Sequence, residues 1–167
     1  VVASSACPFF AFSFVTPDVL LLLVELLAAT GCLFARYRPG AREFLATARA
    51  AGIRCALVSA SWTQVLEHVV DTMPAGSFEV IVGGDQVTHG KPDPEPYLLA
   101  AQRLGLAVRD CLALEDSLPG TASAENAGLA TIAVPFEQVI VPATRRRLVP
   151  TLEGLTLAEV GALWQEL

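Results

Sequence analysis

"CLALEDSLPGTASAENAGLATIAVP", residues 111–135, runs from an apolar stretch through a small-residue segment into a second apolar stretch. "CLALE" (111–115) reads as a buried strand, "PGTASAENAG" (119–128) as a helix and "LATIAVP" (129–135) as the next strand. Two strands joined by one helix cannot be antiparallel hairpin partners, so this unit predicts a parallel pair with a helix packed on it. The first strand ends in two adjacent carboxylates, Glu115 and Asp116. Carboxylates at the end of a buried strand are costly unless a cation meets them.

Outward from this unit the same alternation continues. "PGAREFLATARAAG" (39–52) has helical spacing and stops at Gly52, and "IRCALVS" (53–59) reads as a buried strand. Ser61 with Gln64 three residues on predicts a boxed helix start, and "FEVIVGG" (78–84) predicts another strand. "DPEPYLLAAQRLG" (93–105) reads as a helix with Asp93 as N-cap and Pro94 at its first position; a last helix opens at Thr156, boxed by Glu159. The triple Arg145, Arg146, Arg147 lies in a poorly patterned stretch and reads as a solvated face. The expected fold is α/β, a three-layer Rossmann-like parallel sheet with helices on both faces.

The bulk properties set limits. A chain of 167 residues is one domain's worth, and its net charge of −6 gives no attraction to nucleic acid or an anionic membrane. Cys7, Cys32, Cys55 and Cys111 show no metal-site or redox spacing, and since Cys55 and Cys111 open apolar runs that look like strands, buried reduced thiols in a cytoplasmic protein are the preferred reading. Residues 1–37 differ in kind from residues 38–167, which are expected to form the core domain. "VLLLLVELLAATGCLFA" (19–35) is long enough for a membrane span or signal core, but Glu25 interrupts it and no basic flank precedes it, so a buried helix is the preferred reading. "FFAFSFV" (9–15) is expected as the central strand of the sheet. The chain opens on Val1 rather than Met, from which we expect a fragment, or a start that has been processed or misassigned.

In a sheet of this kind ligands bind beyond the carboxyl ends of the strands. Three such ends carry polar groups. Ser59, followed by Ala60 and Ser61, offers hydroxyls and backbone N–H groups that suit a phosphate or simply cap the next helix. Lys91 is the only lysine beside ten arginines, so a compact point charge stands at this one position; the alternative is a surface lysine. Glu115 and Asp116 offer hard oxygens to Mg²⁺, the alternative being that Asp116 caps the helix at 118–127 while Glu115 is partly exposed. Together the three ends make a phosphate-plus-Mg²⁺ pocket for a small phosphorylated metabolite.

"ALVSAS", "GKPDPEPY" and "ALEDSLPGTASAENAGL" resemble the second, third and fourth motifs of the haloacid dehalogenase-like hydrolases, within them the phosphoglucomutase-like phosphatases. The likeness covers about residues 38–135. It implies a Mg²⁺-dependent phosphatase or phosphotransferase acting on a small phosphomonoester, a sugar phosphate by resemblance only. It further implies that Ser59 hydrogen-bonds the phosphoryl group, Lys91 offsets its charge, Asp116 binds Mg²⁺ directly and Glu115 does so directly or through water. The family's first motif, Asp-x-Asp-x-Thr, supplies the nucleophile and the general acid/base, and it does not occur in this chain; before residue 43 the only acids are Asp18 and Glu25. Room for a helical cap ahead of the second motif is also missing, so the cap is absent or rudimentary. The expectation is therefore an impaired enzyme, with a non-catalytic phosphate-binding remnant as the rival and a domain anchored in a membrane by residues 19–35 as a weaker one.

Overall fold

The computed structural model describes the backbone of residues 19–22, and residues 38–135 and 138–167 in full. Six strands, β1 (Val19–Leu22), β2 (Arg54–Val58), β3 (Val80–Val82), β4 (Cys111–Glu115), β5 (Ala130–Ala133) and β6 (Arg146–Leu148), form one sheet in the order β3-β2-β1-β4-β5-β6. All five pairings are parallel. The helices are α1 (Ala41–Ala50), α2 (Thr63–Val70), α3 (Glu95–Leu104), α4 (Leu118–Ala127) and α5 (Leu157–Gln165).

Side-chain alternation along the strands builds the three layers. Cys55 and Leu57 of β2 and Leu112 and Leu114 of β4 face one core with Phe44 and Leu45 of α1, Leu66 of α2 and Val160 of α5. Ala56 and Val58 of β2 and Cys111 and Ala113 of β4 face the other, with Tyr97, Ala100 and Leu104 of α3 and Ala124 of α4. Small residues on this second face let α3 and α4 lie close to the sheet. Cys55 and Cys111 are buried free thiols, and burial pushes both up to about 11, so they stay protonated near neutrality.

Several expectations need correction. The centre of the sheet, between β2 and β4, is held by Val19–Leu22 and not by residues 9–15, which lie outside the described residues. The opening of the apolar run 19–35, Val19–Leu22, is therefore a strand rather than a helix. A parallel strand buried on both faces needs a continuous apolar run, and periodicity alone cannot separate that from a buried helix. Among the described residues no helix is long and apolar enough to cross a membrane.

At α2 the N-cap is Trp62, without a side-chain cap from Ser61. Instead Asp85, carried after β3, accepts from the Thr63 N–H and hydroxyl, both at 2.7 Å. At α3 the N-cap is Pro94, one residue later than expected, while Asp93 Oδ1 accepts from Glu95 N at 2.9 Å. The arginine triple is not a solvated face: residues 146–148 form the edge strand β6, and Arg146 is paired with both oxygens of Glu125 on α4 at 2.7 Å. The box at Thr156 and Glu159 forms as expected.

Candidate active site

Leu21 of β1 is level with Ala56 of β2 on one side and Ala113 of β4 on the other. Three residues further along each outer strand stand Ser59 and Asp116, so the register brings them to the same edge of the sheet, roughly 10 Å apart across two strand spacings. Ser59 is 4% exposed and Asp116 is 7% exposed. The Ser59 N–H donates to Val82 O at 3.0 Å, and its Oγ accepts from Ser61 N at 3.1 Å, which fixes the hydroxyl at the end of β2. Ser61 N is thus engaged by Ser59 Oγ, as Thr63 N is by Asp85 Oδ1.

Lys91 closes the gap between the two strand ends. Its Nζ donates to Val58 O at 3.2 Å and to Glu115 Oε1 at 2.6 Å, so one ammonium spans from the end of β2 to the end of β4. The side chain is 6% exposed. The loop carrying it is stiffened by Glu95, whose carboxylate accepts from Thr88 N at 2.7 Å and His89 N at 2.8 Å. Those backbone bonds, that from Thr88 first, hold the Glu95 carboxyl below the usual range. His89, Asp93 and Glu95 bring ligand atoms within 4.8 Å of one another, but their hydrogen bonds are those of a loop clamp behind Lys91.

Glu115 follows Cys111 and Ala113 on the strand's period of two, so it points into the α3 and α4 layer. There Oε1 accepts from Lys91 and from the Tyr97 hydroxyl, while Oε2 accepts from Asp116 N at 3.2 Å and Ser117 Oγ at 3.3 Å. A carboxylate has about four lone-pair sites, and four donors fill them. A Cβ on Gly120 would fall inside this carboxylate, which is why α4 carries glycine at that turn. The helix is capped by Ser117, whose Oγ accepts from Gly120 N at 3.1 Å, and not by Asp116. Nor is Glu115 partly exposed; it is 1% exposed.

Mg²⁺ takes one or two protein carboxylates together with phosphate and water. Asp116 at the strand end fits that role. Glu115, expected to bind Mg²⁺ directly or through water, accepts here from four protein donors, Lys91 among them. The residue that the sequence reading missed is Tyr97. The signal was available: positions 97, 100, 101 and 104 form the apolar stripe of α3, and a phenol on such a stripe needs a buried partner for its hydroxyl.

A family model for haloacid dehalogenase-like hydrolases matches residues 17–128. Protein CbbY of Rhodobacter capsulatus is 42% identical over 103 residues, 59% of this chain and 45% of that protein. Hexitol phosphatase A of Escherichia coli (strain K12) is 41% identical over 98 residues, 58% of this chain and 44% of that protein. The crystal structure of CbbY from Rhodobacter sphaeroides in complex with phosphate superposes with a TM-score of 0.66 at 34% identity, covering 74% of this chain and 58% of that one. The chain thus spans less than half the length of these curated relatives.

Proposed function

The chain belongs to the haloacid dehalogenase-like hydrolases, and from that premise we propose that it binds the phosphoryl group of a small phosphomonoester, a sugar phosphate by class, in a Mg²⁺-dependent site at the carboxyl ends of β2 and β4. The observation that carries this reading is the bridge made by Lys91. One buried ammonium, fixed at 2.6 Å from Glu115 and 3.2 Å from Val58 O, stands between a buried serine and a buried aspartate. Two of its three N–H groups are committed, and the third is left for an anion. Relatives named as phosphatases of hexitols and of phosphorylated carbohydrates support the substrate class.

In this reading Ser59 donates its hydroxyl proton toward a phosphoryl oxygen, with the Ala60 N–H and the Ser61 hydroxyl beside it. Lys91 offsets the charge of the same group from the other side. Asp116 would hold Mg²⁺, which when bound supplies charge neutralisation to the phosphoryl oxygens. Glu115 keeps Lys91 in place. Phosphoryl transfer to the protein needs a nucleophile, and no Asp-x-Asp occurs anywhere in the sequence. Binding should therefore outlast turnover, and the rival reading, a phosphate-binding remnant without catalysis, rests on this same absence.

The test is calorimetric titration of inorganic phosphate with Mg²⁺ present, beside a phosphatase assay on simple phosphomonoesters. Measurable phosphate binding is expected, weakened about tenfold or more by Lys91→Ala or Asp116→Ala, since each removes a charge-assisted contact. Hydrolysis is expected near background. Absence of phosphate binding by the folded chain would overturn the site, and robust hydrolysis would show that the chain supplies an acceptor other than an Asp-x-Asp; Asp18 precedes Val19 at the amino end of β1, the edge of the sheet away from Ser59 and Asp116.

A further inference from the structure

We propose that Tyr97 is a positioning residue for the Lys91 ammonium, acting through the oxygen of Glu115 that both side chains share. This rests on the phosphate-site reading above, since the ammonium is what that site offers an anion. Tyr97 is fully buried on α3, among Ala56, Val58, Val82 and Ala113 of the sheet. Its hydroxyl donates to Glu115 Oε1, the atom that also takes Lys91 Nζ at 2.6 Å. The ammonium meanwhile lies over the phenol ring, 5.3 Å from its centroid.

One tyrosine therefore restrains the lysine in two ways. The ring attracts the cation from one side. The hydroxyl fixes the rotation of the Glu115 carboxylate, so Oε1 has one position and Lys91 has one place to bond it. With Val58 O taking a second N–H, the remaining donor has a defined direction rather than a cone of them. A phenylalanine would fill the same volume and keep the ring, but it would leave Oε1 with a single donor and the carboxylate free to turn. The buried hydroxyl at position 97 is thus accounted for by orientation of the charge, beyond its contribution to packing.

Lys91 is the only lysine of the chain, so protein carrying Nζ-labelled ¹⁵N-lysine gives one ammonium signal by NMR. The comparison is wild type, Tyr97→Phe, and Leu104→Ala, which loosens the same core from the same helix. Tyr97→Phe is expected to shift that signal and speed its proton exchange with water about tenfold, as loss of a hydrogen bond to a charged group would. Leu104→Ala is expected to leave it in place. An unchanged signal in Tyr97→Phe overturns the proposal, and so does the same change in Leu104→Ala, because packing would then explain it. If Tyr97→Phe does not fold, the wild-type hydroxyl proton decides: slow exchange with a through-space contact to the Lys91 ammonium supports the role, and rapid exchange overturns it. Adding inorganic phosphate and Mg²⁺ to the wild type separates the two readings. An ammonium signal that responds to Tyr97→Phe but not to phosphate supports the positioning role and counts against the phosphate site.

Discussion

Glu115 shows how one residue can be expensive and still fixed in place. A buried carboxylate without partners would cost several kcal/mol, yet here an ammonium, a phenol, a backbone N–H and a serine hydroxyl all donate to it. The arrangement works only because α4 has no side chain at Gly120. Gly120→Ala would drive its methyl group into the Glu115 carboxylate and push that group off Lys91. We expect a destabilisation of about 1–3 kcal/mol by urea unfolding, the ordinary range for overpacking, together with weaker phosphate binding in the molecules that remain folded. A variant with wild-type stability and binding would show that the carboxylate has room to move and that its fixed position is not required.

At the scale of the element, α2 and α5 are tied at their starts by carboxylates. The Thr156 hydroxyl and N–H hold Glu159 below its ordinary 4.5, and the Thr63 hydroxyl and N–H hold Asp85 below its ordinary 3.8. In both the folded carboxyl is more acidic than the unfolded one, so the contribution is complete above the ordinary values and is lost as pH falls through the lowered folded ones. Thermal unfolding midpoints should therefore fall below about pH 4.5, and less steeply in a double variant Asp85→Asn, Glu159→Gln. Equal slopes for wild type and variant would remove these two groups from the explanation. The start of α2 departs from the spacing of its sequence for the same reason. Ser61 has the right spacing for a box, but Asp85, brought in by the loop after β3, reaches Thr63 first.

Across the whole molecule, stability should follow distance from the middle of the sheet. β1 and β4 lie inside it, whereas β6 is an edge strand tied to α4 by Arg146 and Glu125 and to the C-terminus by Arg147 and Glu166. Native-state hydrogen exchange is expected to give the amides of Leu20, Leu21 and Leu22 protection close to that of global unfolding, with those of residues 146–148 opening earlier. Exchange at residues 20–22 as fast as at the edge would argue that the sheet holds together without its middle strand. The order of strands also explains the site, because β2 and β4 flank β1 and their ends are near enough for one lysine to join them.

The sequence by itself determined the alternation of strands and helices from residue 39 onward, and with it the parallel sheet and the strand ends at Ser59 and Asp116. These follow from local periods and from Gly and Pro punctuation, which act over a few residues and can be read in order. The resemblance carried by residues 56–61, 90–97 and 113–129 supplied the expected chemistry. Tertiary structure decided the rest. Val19–Leu22 takes the central place because an apolar run becomes a strand when two neighbouring strands offer ladders on both sides, a fact with no local signature. Glu115 serves Lys91, 24 residues away, and Tyr97, 18 residues away, because the period of β4 turns it toward α3, where a cation and a hydroxyl meet its charge. Partners separated by that much chain are chosen by packing, and only the folded molecule brings them within bonding distance.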